Sequence, residues 1–193
     1  MKNIYYSFKE CILKYGKKWD KMAPNKKNAI AFANNKINIP PKKYKLNGEF
    51  SKEYIIVASS ETINGRFRDD DDQHVELAKY IGENYSLKEN LVVYRGVSES
   101  VYKKMESAAD GIRNVDLLEK GFLNTSIVKG HELEAYKHLR IYIPKDTTAF
   151  YAGDINSEES IFYEVIVQIG ARLKIISKDS RYINCKLIET YLI

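Results

Sequence analysis

Apolar side chains recur at Ile4, Phe8, Cys11, Ile12, Tyr15 and Trp19. That spacing keeps one face of a 3.6-residue turn apolar, so it predicts an amphipathic helix over 4–22 that ends before Pro24. Residues 25–35 predict a second short helix. From Lys36 to Phe50 the periodicity is lost, and Pro40-Pro41 and Asn47-Gly48 mark a loop. Ser51 stands as a possible N-cap for a helix opening at Lys52-Glu53. Val75, Ala78, Tyr80 and Ile81 mark the inner side of a further helix over 72–84. After Asn90 the pattern changes. Leu91-Val92-Val93-Tyr94 is a continuous apolar run, read as a buried strand, and 98–108 returns to a helix. Residues 122–126, 139–143, 149–151, 161–169, 172–176 and 186–192 read as strands. Helices dominate the first half and strands the second. Segregated elements predict an α+β domain and not a doubly wound sheet.

Length and composition narrow this picture. The chain has 193 residues, 44% hydrophobic, with ten Gly and four Pro. That fits one domain with its own core: 1–50 as a helical N-terminal segment and loop, 51–193 as the remainder. No run approaches ~18 uninterrupted apolar residues, so no membrane span is expected. The start of the chain lacks the apolar stretch of a signal peptide, which suits a cytoplasmic protein or an effector delivered without its own leader. The net charge of +5 is modest, and the longest like-charge run is acidic, Asp69 to Asp72. A nucleic-acid partner is therefore not expected. The acidic run itself reads as a solvated turn or helix start.

Several site motifs are missing. There is no GxxxxGK(S/T), no GxGxxG and no GxSxG. Cys11 and Cys185 match no metal or disulfide spacing. His131-Glu132 begins like HExxH, but the second ligand position holds Ala135 and the next histidine is His138. No metal is expected.

Three short features remain, in order. Leu91-Val92-Val93-Tyr94-Arg95-Gly96 is an apolar strand that ends in arginine and glycine. Gly121-Phe122-Leu123-Asn124-Thr125-Ser126 is a strand carrying three small polar residues. Glu164 lies within Ile161-Phe162-Tyr163-Glu164-Val165-Ile166-Val167, ahead of Gly170-Ala171-Arg172-Leu173-Lys174-Ile175. Each has an ordinary reading. Arg95 could be a surface ion-pair partner, and the Asn-Thr-Ser run a strand edge. Glu164 sits either on a solvated sheet face or partly buried, where it would need a partner.

Taken together, the three resemble the Arg / Ser-Thr-Ser / Glu signature of mono-ADP-ribosyltransferases. Tyr54-Ile55-Ile56-Val57 and Ile63-Asn64-Gly65-Arg66-Phe67-Arg68 resemble the helical segment before that signature in clostridial Rho-modifying exoenzymes. The strand pair from Glu164 to Ile175 is similar to that of those enzymes and of the catalytic halves of binary toxins. The resemblance covers about residues 50–178. It implies an ADP-ribosyltransferase-like α+β fold: N-terminal helices packed on a split, mostly antiparallel β core, with an NAD cleft. It also implies NAD+ as co-substrate, a protein side chain as acceptor on a target such as a host GTPase or an actin-like protein, and nicotinamide as leaving group. Glu164, Asn124 and Ser126 would be the catalytic group. Arg95, Gly96, Arg68, Asn64 and Thr125 would bind NAD. Phe162, Tyr163 and Glu159 would meet the acceptor.

Two positions depart from the family pattern. Asn124 replaces the first serine, and Phe162 replaces the Glu or Gln common two residues before the catalytic glutamate. Phenylalanine cannot hydrogen-bond an acceptor side chain. Two alternatives therefore stay open: an NAD glycohydrolase on the same fold, or a catalytically impaired module that binds a protein.

Overall fold

The computed structural model describes residues 16–40, 45–46, 48–153, 155 and 162–191. Most of the predicted first helix, Cys11 and Glu159 lie outside these residues. Within them, 16–20 is helical and buries Trp19. A 3-10 turn, Lys26–Asn28, leads into α1 (Ala29–Lys36). Two short strands, β1 (Lys45–Leu46) and β2 (Glu49–Phe50), pair within the predicted loop. Then come α2 (Lys52–Ala58), α3 (Ser60–Arg68) and α4 (Val75–Asn84). Ser51 does cap α2: its Oγ accepts from the Tyr54 N–H at 3.2 Å. The acidic run forms the turn between α3 and α4, and Asp69 and Asp70 pair with Lys104 and Lys120. That leaves α4 starting three residues later than its pattern suggested.

The second half is β3 (Leu91–Val97), α5 (Glu99–Ala109), β4 (Leu117–Glu119), β5 (Leu123–Ser126), β6 (Lys137–Ile143), β7 (Ala149–Tyr151), β8 (Glu164–Val167), β9 (Ala171–Lys178) and β10 (Tyr182–Glu189). The eight strands β3 to β10 form one sheet in the order β4-β9-β10-β6-β3-β5-β8-β7. All its pairings are antiparallel except β6 with β10. Both faces are covered, which explains the unbroken apolar run in β3. Leu91, Val93 and Val97 join the main core with α1 and α5. Val92 and Tyr94 face the other way, onto Trp19 and Tyr182. On that same face, helices α2 to α4 cover β5, β8 and β7 around Phe122, Phe150 and Ile166.

The sheet is split in a specific place. β3 and β6 pair over seven positions, but β3 and β5 share only Tyr94↔Ser126. Beyond that point the two strands part, and the gap between them is where the polar residues gather.

Three strands depart most from the pattern. The 161–169 strand begins only at Glu164, because Phe162 is in a 3-10 turn and Tyr163 has φ +48°. β10 starts at Tyr182, earlier than expected. Its Asn184 looks like a breaker but is buried, accepting from Arg140 and donating to Ser177. β4 was not anticipated at all. Its three residues give no alternation to read.

Candidate active site

The gap between β3 and β5 is a cleft of about 500 Å³. Arg68 and Asn64 reach it from α3, and Arg95 and Gly96 from β3. Asn124 and Ser126 reach it from β5, with Thr125 between them part of its wall, Glu164 from the start of β8 and Phe162 from just before it. The short motifs, spread over a hundred residues of chain, therefore meet in one place. Tyr163 does not line the cleft. Its ring packs against the main core, edge-on to His131 with centroids 5.0 Å apart, and its carbonyl accepts from the Ile127 N–H. Glu159 lies outside the described residues.

Strand alternation sorts the Asn-Thr-Ser run. Asn124, Ser126 and Glu164 point to one face, because Ser126 pairs with Glu164 and Asn124 with Ile166. The amide of Asn124 donates to Glu164 Oε1 at 2.8 Å and to Ser60 Oγ at 2.9 Å. Thr125 points to the opposite face and donates its hydroxyl to the Val165 carbonyl at 2.8 Å. Ser126 is buried, and its Oγ is engaged with the main chain of Val128 as donor and acceptor.

Asn64 determines which way the Asn124 amide faces. Its Oδ1 accepts from the Phe122 N–H at 2.7 Å, so its Nδ2 is the end presented to Asn124 Oδ1, at 2.9 Å. The oxygen of Asn124 is thereby engaged, and its Nδ2 faces Glu164. A Cβ on Gly121 would lie 2.5 Å from Asn64 Oδ1, so only glycine lets α3 come this close. Gly96 does similar work on the other side. A Cβ there would lie 1.8 Å from the Leu133 carbonyl oxygen, and Leu133 belongs to the segment that carries His131.

A second cluster holds the arginines. Glu119, at the end of β4, is 0% exposed. Arg68 grips it with Nε on Oε1 at 2.9 Å and Nη2 on Oε2 at 2.8 Å. Arg95 adds Nη2 on Oε2 at 2.9 Å and reaches the Asn124 carbonyl with Nη1, also at 2.9 Å. The Gly121 N–H completes the set at 3.1 Å. Arg95 is 8% exposed, and its Nε is buried with no hydrogen-bond partner among the described residues. Burial pulls its guanidinium below the ordinary arginine value. Glu119 opposes that fall, Arg68 adds to it and Glu164 opposes it.

Glu119 and Ser60 were not singled out from the sequence, and His131 was read there only as the start of an incomplete HExxH. Glu119 had one faint signal, a lone carboxylate directly after Leu117-Leu118 in an apolar setting. Among the described residues, no group of three or more His, Cys, Asp or Glu could hold a metal ion. No described helix is long and apolar enough to cross a membrane.

Comparison with known proteins bears on this geometry. Curated protein sequences give no match. Solved structures do. An ADP-ribosyltransferase from Clostridium botulinum superposes with a TM-score of 0.61 at 13% identity, covering 86% of this chain and 97% of that one. C3stau2 from S. aureus, solved with NAD, gives 0.59 at 16% identity over 87% and 99%. Plx2a, an ADP-ribosyltransferase toxin from Paenibacillus larvae, gives 0.52 at 17% identity over 95% and 96%. At such identities these matches speak to the fold. The family profile described as ADP-ribosyltransferase exoenzyme spans residues 54–190, from α2 through β10 and across every strand of the split sheet, and the chain belongs to that family.

Proposed function

We propose that the protein is an NAD-dependent mono-ADP-ribosyltransferase. It breaks the bond between ribose C1′ and the nicotinamide nitrogen, and joins C1′ to a nucleophilic side chain of a protein. Nicotinamide leaves with the bonding pair, and the acceptor gives up a proton. Positive charge develops on the ribose in the transition state. A fixed carboxylate beside the 2′-hydroxyl stabilises that charge more than it stabilises the ground state. The observation that carries this reading is Glu164, aimed into the cleft and held by Asn124. Across the cleft, the two guanidiniums of Arg68 and Arg95 gather positive charge that suits a diphosphate, and Glu119 leaves Arg68 Nη1 unused.

Phe162 lines the same cleft. A phenyl ring offers an acceptor apolar contact or a cation–π face, with no group to take its proton. We therefore assign the acceptor to a side chain other than arginine. The same feature supports a second reading, NAD hydrolysis with water as acceptor. The Asn64–Asn124–Glu164 chain of hydrogen bonds argues against an impaired relic, since it keeps the glutamate oriented. A bacterial effector acting on a GTPase-like or actin-like protein fits the family.

The test is incubation with labelled NAD and host lysate, followed by mass spectrometry of the labelled residues. Protein-bound label supports transfer, and free ADP-ribose alone supports hydrolysis. Label found mainly on arginine overturns the acceptor assignment. A Glu164→Gln change keeps the shape and removes the charge, so turnover should fall about 10²-fold or more with NAD affinity retained. Turnover within a few-fold of the parent would refute the role of Glu164.

A further inference from the structure

A carboxylate that lines no part of the substrate cleft accounts for how its two arginines are held. Glu119 is fully buried, and each of its oxygens accepts two hydrogen bonds: Arg68 Nε and the Gly121 N–H on Oε1, Arg68 Nη2 and Arg95 Nη2 on Oε2. It touches the rear of both guanidiniums and does not itself face the cleft. We infer that Glu119 is a positioning residue for NAD. It fixes Arg68 and Arg95 as one rigid cationic pair beside the cleft, with Arg68 Nη1 left for the diphosphate. This rests on the proposed function.

The physical reason is charge and geometry together. Two guanidiniums brought to one site repel each other, and desolvation adds to the cost. One carboxylate between them leaves a net charge of +1 in the triad, enough to attract a diphosphate without scattering the arginines. The bidentate grip uses Arg68 Nε and Nη2, which fixes the plane of that guanidinium. The alternative anchors for Arg68 are the solvated carboxylates of the neighbouring turn. Asp69 and Asp70 are already engaged by Lys104 and Lys120, and Asp71 by Arg66. Without Glu119, Arg68 has no fixed partner among these groups. Arg95 then keeps only its bond to the Asn124 carbonyl. Because Arg95 touches β5 and Glu164 is held from Asn124, the pair also sets the distance between the phosphate end and the catalytic end of the cleft.

Glu119→Gln tests this, because its amide would turn N–H groups onto N–H groups. NAD affinity is measured by calorimetry, KM and kcat are measured for nicotinamide release, and the melting temperature is followed in parallel. The expected result is a KM and Kd for NAD raised about tenfold or more, with kcat at saturating NAD changed less than about threefold. Glu119→Asp keeps the charge but is one methylene shorter; it should fold and fall between the parent and the glutamine variant. Arg68→Lys supplies a readout that a merely structural role would not move. It should weaken NAD binding about tenfold in the parent and less than about twofold in the Glu119→Gln background, since Arg68 is already misplaced there. Equal costs in both backgrounds, or NAD binding by Glu119→Gln within twofold of the parent, would overturn the inference alone. If the glutamine variant does not fold, the same comparison is made in Glu119→Asp, and equal Arg68→Lys costs there overturn it. A parent protein that binds no NAD would overturn the proposed function and this inference together.

Discussion

Replacing Gly121 with alanine is the sharpest test of how α3 is docked on β5. Gly121 has no left-handed φ, so alanine is conformationally allowed and would on backbone grounds add about 0.4–1 kcal/mol of stability. The surroundings of the site predict the opposite sign. The new methyl would lie 2.5 Å from Asn64 Oδ1, 2.9 Å from its Cγ and 3.0 Å from its Cα. The last of these is backbone, so a rotamer change of Asn64 clears Oδ1 and Cγ but α3 must still give by a few tenths of an ångström. Moving Oδ1 out of the clash gives up its 2.7 Å bond from the buried Phe122 N–H. An unsatisfied buried amide costs about 1–3 kcal/mol, and overpacking adds about 1–3. Net of the backbone gain, Gly121→Ala should destabilise by about 1–5 kcal/mol, which in a domain of this size lowers the melting temperature by roughly 2–20 °C.

A double-mutant cycle isolates the cause. Asn64→Ala alone orphans the Phe122 N–H and should cost about 1–3 kcal/mol. In the double variant the clash with Oδ1 and Cγ is gone, and only the crowding against the α3 backbone remains. The pair should therefore cost about 1–2 kcal/mol less than the sum of the two singles. Activity offers a second readout. Once Asn64 Nδ2 no longer fixes Asn124 Oδ1, the Asn124 amide can rotate away from Glu164, and turnover should fall about tenfold in either single variant. Urea unfolding and nicotinamide release check the two parts. A Gly121→Ala protein within about 0.5 kcal/mol of the parent, or strictly additive costs, would refute the reasoning.

Two further outcomes follow from the structure. Gly96→Ala would put a methyl 1.8 Å from the Leu133 carbonyl oxygen, so it should cost about 3 kcal/mol or more and displace the segment bearing His131; a urea midpoint equal to the parent's would contradict it. Burial, with help from Glu53, Asp20 and Glu132, pushes the phenols of Tyr80, Tyr85, Tyr94 and Tyr182 above their ordinary value, while burial pushes the Cys185 thiol up to about 12. Groups raised in the folded state stay protonated there after the unfolded chain has released its protons, so their stability is complete at neutral pH and lost as pH climbs above about 9 for the thiol and about 10 for the phenols. Urea midpoints at about pH 8 and about pH 10.5 should differ clearly, and equal midpoints would refute it.

Much of this architecture was legible from short-range patterns. The Ser51 cap, the break at Asn90 and the buried run at Leu91 each depend on neighbours in sequence. The cleft was legible for a different reason: its residue types are chemically unusual where they stand. Glu164 is a carboxylate among apolar residues, and Asn124-Thr125-Ser126 is a polar run on a strand. What escaped was set by long-range packing. β4 exists because Leu117, Leu118 and Glu119 pair with Leu173, Arg172 and Ala171, more than fifty residues away. Phe162 and Tyr163 leave the strand because Tyr163 adopts a positive φ, which a tyrosine rarely does. Nothing in an apolar run ending Phe-Tyr-Glu announces that turn, and it is what separates Phe162, in the cleft, from Tyr163, in the core.

The two departures from the family pattern differ in kind once the neighbours are known. Asn124 looks, from its own position, like a poor substitute for serine, because its amide is longer and could face either way. Asn64 and Ser60 remove that ambiguity. Asn64 can offer only Nδ2, since its oxygen is taken by the Phe122 N–H, and Ser60 accepts from the same Asn124 nitrogen that reaches Glu164. A serine at 124 would leave Asn64 Nδ2 without its present acceptor, so the two asparagines act as one unit. The longer side chain is thus bound at both ends and still presents a donor to the glutamate. Phe162 has no such compensation, since no neighbour turns an aromatic ring into a hydrogen-bond partner. The first departure therefore preserves the orientation of Glu164, while the second changes what can approach it, and the two bear on different halves of the proposed reaction.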